Sequence, residues 1–123
     1  MKAENVLLAK SYDFAIRIVN LYKFLHQEKK DFIISKRIFH SGTSIGANAE
    51  EAIGGQSEKD FIAKLQIAYK EARETHYWLK ILRDTNYLSQ EQAALLLSDC
   101  EELLKIIGSI VKTMKNKLKF LVQ

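Results

Sequence analysis

At 123 residues, 47% hydrophobic and 28% charged, with five glycines and no proline, the chain reads as one domain spanning 1–123, neither disordered nor membrane-embedded. A formal net charge of +4 permits contact with nucleic acid without demanding it. One cysteine, Cys100, excludes an internal disulfide and a cysteine-built zinc site. No apolar run is long enough to span a bilayer, and the first residues lack a signal peptide, so no membrane contact and a cytoplasmic location are expected.

Four helices are predicted, over about 4–28, 32–53, 58–85 and 90–118. In the first, Leu7, Phe14, Ile18, Leu21 and Leu25 recur at spacings of three and four, with Ser11 in the gap, which is the core stripe of an amphipathic helix. Asp31 is expected to cap the second helix, whose inward stripe is Ile34, Ile38, Ser41, Ile45, Asn48 and Ala52. Gly54-Gly55 ends it, and Ser57 opens the third, which carries a heptad through Phe61, Leu65, Ala68, Ala72, Thr75, Leu79 and Leu82. Ser89-Gln90-Glu91-Gln92 fits a capping box ahead of the fourth, with Leu96, Cys100, Leu103, Ile107, Ile110 and Met114 inward. The tail from Lys115 to Gln123 is free to fray. Short connections between long helices predict an all-α, antiparallel up-down-up-down four-helix bundle.

The run Ser41-Gly42-Thr43-Ser44-Ile45-Gly46-Ala47-Asn48-Ala49-Glu50-Glu51-Ala52 is unusually small and polar for a helix interior. It lacks the lysine and preceding strand of a P-loop. An anion nest at a helix break is one reading. The other is a close crossing, in which Gly42 and Gly46 let a neighbouring backbone approach and Ser41 and Glu50 belong to the same structural signature. Asn48, on the inward stripe, is expected to fix register or cap a neighbour's backbone; a ligand contact is the alternative. Glu50 and Glu51 are candidates to pair with Arg37 or a nearby lysine, although Arg37 and Glu51, fourteen residues apart on one side of the helix, do not touch each other.

No catalytic constellation, metal site or cofactor is expected. The residues three before His26, His40 and His76 are Lys23, Arg37 and Arg73, which rules out the Glu-x-x-His motif of di-iron bundles. Cys100 lies on a core stripe, as a small hydrophobe. The basic residues are more informative. Lys105, Lys112 and Lys119 repeat every seven residues with Lys115 between the last two. Lys59, Arg73 and Lys80 form a column on the third helix, and Lys10 and Arg17 sit seven apart on the first. Each is a solvated face or a phosphate-binding stripe, and copies of the chain would multiply a weak stripe into an effective one. Second apolar stripes, Leu8, Tyr12, Val19 and Tyr22 on the first helix and Leu97, Leu104 and Val111 on the fourth, predict an oligomer interface, since a monomer would leave them bare.

Ser11-Tyr12-Asp13-Phe14-Ala15, Ile34-Ser35-Lys36-Arg37 and the run from Ser41 to Ala52 together resemble the four-helix-bundle family of 23S rRNA intervening-sequence proteins. Phe61-Ile62-Ala63-Lys64-Leu65, Ala68-Tyr69-Lys70-Glu71-Ala72, Glu74-Thr75 and Trp78-Leu79 continue the likeness. It covers about residues 5 to 118. The resemblance implies a bacterial, non-enzymatic bundle that assembles into a ring-like homopentamer. It is similar to the accessory protein of diversity-generating retroelements, which associates with nucleic acid and a reverse transcriptase. The expected partners are therefore further copies of the chain, RNA or DNA, and a nucleic-acid enzyme. The alternative is a protein-interaction scaffold that touches no nucleic acid.

Overall fold

The computed structural model describes residues 2–122, with side chains as far as Lys119. It contains α1 Lys2–Gln27, α2 Ile34–Ile53, α3 Glu58–Asp84 and α4 Gln90–Val122, and no strand among the described residues. The predicted core stripes are largely inside: Leu7, Ser11, Phe14, Ile18, Leu21 and Leu25 are all buried, as are Leu65, Ala68, Ala72, Thr75, Leu79 and Leu82, whereas Ile34, Phe61 and Met114, at the ends of their stripes, pack only half-buried against the core. Each helix packs against two others, α1 with α2 and α4, α3 with α2 and α4, and the α1–α4 seam is the most open of the four. The result is a four-helix bundle around one apolar core.

The helix ends follow local chemistry. Ser57 Oγ accepts from the Asp60 amide at 3.1 Å. Ser89 and Gln92 form a reciprocal box, in which Gln92 N donates to Ser89 Oγ at 3.1 Å and Ser89 N donates to Gln92 Oε1 at 3.0 Å. Asp31 caps α2 from farther out than expected. Its Oδ2 accepts from the Ser35 amide at 2.7 Å, and its carbonyl accepts from Ser35 Oγ at 2.9 Å. The helix therefore begins at Ile34 and not at Phe32, leaving Phe32 and Ile33 exposed. Glycine is not the left-handed residue at any junction. Lys30 (φ 55) and Asn86 (φ 66) take that role, while Gly54 stops α2 with φ −82. Nothing with the breaking power of proline or a glycine pair follows Leu118, and α4 continues as helix to Val122.

The small-residue run lies wholly within α2. Thr43 Oγ1 donates back to the Phe39 carbonyl at 2.7 Å and Ser44 Oγ to that of His40 at 2.6 Å, so these hydroxyls are spent along the helix and form no anion nest. The close crossing is with α1. A Cβ at Gly42 would stand 2.7 Å from Ile18 Cγ1 and 2.8 Å from its Cγ2, and one at Gly46 would stand 3.3 Å from the Ser11 carbonyl oxygen. On the other flank the buried Ser41 and Thr75 hydroxyls meet at 2.8 Å across α2 and α3.

Asn48 does not do what its stripe position predicts. It is only half-buried, and its Nδ2 donates to the Ser44 carbonyl at 2.8 Å within its own helix. The amide is satisfied within its own helix and, among the described residues, reaches no neighbour's backbone. Glu50 is exposed, and Glu51 pairs with Lys64 Nζ at 2.7 Å.

Candidate nucleic-acid interface

Two of the basic columns converge on one groove. On α3, Tyr69 and His76 both touch α4. His76 Nε2 is 2.9 Å from Glu101 Oε2, and a Cβ at Gly108 would lie 3.6 Å from Tyr69 Cε2. Arg73 follows Tyr69 by four residues and Lys80 follows His76 by four, which keeps them on the same helix face. On α4, Lys105 follows Glu101 by four and Lys112 follows Gly108 by four. Lys115 and Lys119 continue that face. Arg73, Lys80 and the four lysines are exposed and form no ion pair among the described residues. Lys59, one heptad before Gln66, extends the α3 rim toward its N-terminal end, and is also exposed. The floor between the rims holds a cavity of about 240 Å³ lined by Gln66, Tyr69, Gly108 and Val111.

Lys10 and Arg17 lie elsewhere. They sit on the α1–α4 seam, where Lys10 Nζ is 3.0 Å from Glu102 Oε1 and Arg17 pairs with Asp99. Asp99 and Glu102 stand three residues apart on the flank of α4 that faces away from α3, so their charge offsets the α1 pair and not the lysine column. Exposed pairs like these add little stability. Their effect is to remove two cations from the basic surface. Lys117 is likewise paired, with Glu58 at 2.9 Å.

The apolar candidates are largely absorbed by the fold. Leu97 is 8% exposed and belongs to the core, and Leu8, Leu104 and Val111 pack half-buried against it. Val19 and Tyr22 are half-buried, with the Tyr22 ring 4.8 Å from that of Phe39 and 4.1 Å from that of His26. This corrects the expectation that α4's second stripe is left bare: α4 has α1 on one flank and α3 on the other, and both use its wide apolar face. Of the seven candidates only Tyr12 is exposed, at 65%. Ile16, one turn on and 46% exposed, extends it, and was missed because it falls outside the stripe drawn from Leu8 to Tyr22.

Cys100 is chemically quiet. Burial pushes its thiol up to about 12, so it stays protonated at neutral pH, and its Sγ donates to the Ala72 carbonyl at 3.2 Å. Among the described residues no three or more His, Cys, Asp or Glu side chains cluster as metal ligands, and no helix is long and apolar enough to cross a membrane.

A family model described as 23S rRNA-intervening sequence protein matches residues 3–109. Among solved structures, the chain is similar to a crystal structure from Bacteroides thetaiotaomicron VPI-5482, a protein with unknown function from the S23 ribosomal protein family. The two share 54% identity over 89% of this chain and 98% of that one, with a TM-score of 0.88. No curated protein matches the chain.

Proposed function

The chain belongs to the 23S rRNA-intervening sequence protein family, and from that premise we propose that it is a non-enzymatic bundle that assembles with copies of itself and holds RNA or DNA by phosphate contacts. The observation that carries this reading is the convergence of Arg73 and Lys80 with Lys105, Lys112, Lys115 and Lys119 on the rims of one groove, none of them in an ion pair among the described residues. Six cations on two adjacent helices, with Glu101 engaged by His76 and Asp84 beside Lys80 at one end, leave a predominantly positive surface, where scattered lysines would not.

The helices run up-down-up-down in this reading. Supporting it, contacts descend on one helix as they climb on its neighbour: Gly42 with Ile18 and Gly46 with Ser11, Ser41 with Thr75 and Glu51 with Lys64, Glu58 with Lys117 and His76 with Glu101. Assembly draws on the family resemblance for its count of five and on exposed Tyr12 and Ile16 for its apolar contact. Five grooves on one ring would bind a polyanion far more tightly than one. The protein acts in the cytoplasm, without cofactor, beside a nucleic-acid enzyme as partner.

Phosphate binding has a salt signature. The affinity for a structured RNA is expected to fall on the order of a thousandfold between about 50 and about 200 mM salt, as counterion release at several phosphates requires. Light scattering at micromolar concentration is expected to give a multiple of the chain mass. A monomer refutes the assembly. Absence of RNA and DNA binding at low salt favours the second reading, a protein-docking scaffold, for which the observation is Phe32 and Ile33, 59% and 77% exposed beside the start of α2.

A further inference from the structure

Gly108 poses a question that packing does not answer. At Gly42 a side chain has no room, so glycine is required. At Gly108 a Cβ would make an ordinary contact with Tyr69 at 3.6 Å, and alanine would be the better helix former. The consequence of glycine here is space. It leaves the cavity of about 240 Å³ open beside the Tyr69 ring. Tyr69 is 36% exposed and enters no ring pair among the described residues, so its ring is available. Gln66, on the same floor, brings an amide with donors and an acceptor.

We propose that the α3–α4 groove is a channel for single-stranded nucleic acid, with phosphates along the lysine rims and a base stacked on Tyr69 in the space left by Gly108. This rests on the nucleic-acid reading above and narrows it. Packed helices lie about 8–10 Å apart, too narrow a groove to admit a duplex, whose bases are in any case stacked inside. A duplex would meet only the rims. A single strand exposes base faces, and every base has one, so an aromatic floor between basic rims binds it with little sequence preference. Lys105 and Lys112 are about 10 Å apart along the helix axis, and the rim from Lys105 to Lys119 runs about 21 Å. A strand of several nucleotides would therefore pass over the tyrosine.

The test compares a short fluorescent oligouridylate with a duplex RNA of the same length, by anisotropy at low salt. Tyr69→Ala is expected to weaken oligouridylate binding on the order of tenfold and leave duplex binding unchanged, and the duplex arm also reports that the variant is folded. Tyr69→Phe keeps the ring and is expected to bind as the parent does. Gly108→Leu fills the cavity and is expected to match Tyr69→Ala for the single strand without lowering the melting temperature. If strand and duplex bind alike and Tyr69→Ala changes neither, the channel is overturned while phosphate binding stands. If neither ligand binds, both readings fall together.

Discussion

Gly42→Ala is expected to melt below the parent chain, although alanine is by about 1 kcal/mol the better helix former in isolation. The reason lies on α1. An added Cβ would stand 2.7 Å from Ile18 Cγ1 and 2.8 Å from Cγ2, and Ile18 is wholly buried. Both γ carbons branch directly from Cβ, so the side chain cannot swing its end aside, and its rotamer is already restricted. Either α1 and α2 move apart or Ile18 leaves its rotamer. Overpacking of this kind costs about 1–3 kcal/mol, a melting shift of roughly 4 °C for each kcal/mol in a domain of this size. Gly108→Ala is the control. Its Cβ meets Tyr69 at 3.6 Å, and it is expected to raise stability by about 0.5–1 kcal/mol. Ile18→Ala removes the atoms that Gly42→Ala strikes, so the double variant is expected to lose less than the sum of the two single losses. Thermal melts in which Gly42→Ala gains as much as Gly108→Ala would show that the two helices do not cross closely.

That crossing also marks how far the sequence could be read. The small residues of α2 announced a close neighbour, and the capping serines announced where α3 and α4 begin, because both signals are local. Ser89 and Gln92 satisfy each other within one turn, so no knowledge of the fold was needed. The identity of the neighbour was not local. Gly42 meets Ile18 and Ser41 meets Thr75 only once α2 is placed between α1 and α3. Asp31 misled by two residues, since it reaches past Phe32 and Ile33 to cap at Ser35. Asn48 misled because position on a stripe does not measure burial at the edge of the stripe.

The candidate site was legible in its parts and not in its arrangement. Each lysine column was visible from seven-residue spacing alone. Nothing in the spacing said that the columns of α3 and α4 flank the same groove, because that depends on which faces meet: Tyr69 against Gly108 and His76 against Glu101. Nor did it say that Lys10 and Arg17 are answered by Glu102 and Asp99. Charge columns of equal appearance in sequence thus become unequal in structure, one set paired with carboxylates and the other without an ion pair among the described residues.

The inequality predicts the second large effect. Lys105→Glu/Lys112→Glu is expected to abolish nucleic-acid binding and leave the melting temperature near that of the parent, because both residues are exposed and hold no ion pair among the described residues. Lys10→Glu/Arg17→Glu is expected to do the opposite. It sets four carboxylates along the α1–α4 seam, which lowers the melting temperature by the small amounts that exposed charge pairs command, about 1 kcal/mol in all, while binding persists. Both doubles bring the formal net charge from +4 to zero, so a difference between them reports where the charges sit and not how many there are.

Fluorescence anisotropy of an RNA titrated at low salt with the parent and these two doubles therefore tests the central claim most directly. Binding that survives Lys10→Glu/Arg17→Glu and vanishes in Lys105→Glu/Lys112→Glu is the predicted result; equal loss in both, or undiminished binding after Lys105→Glu/Lys112→Glu, contradicts it.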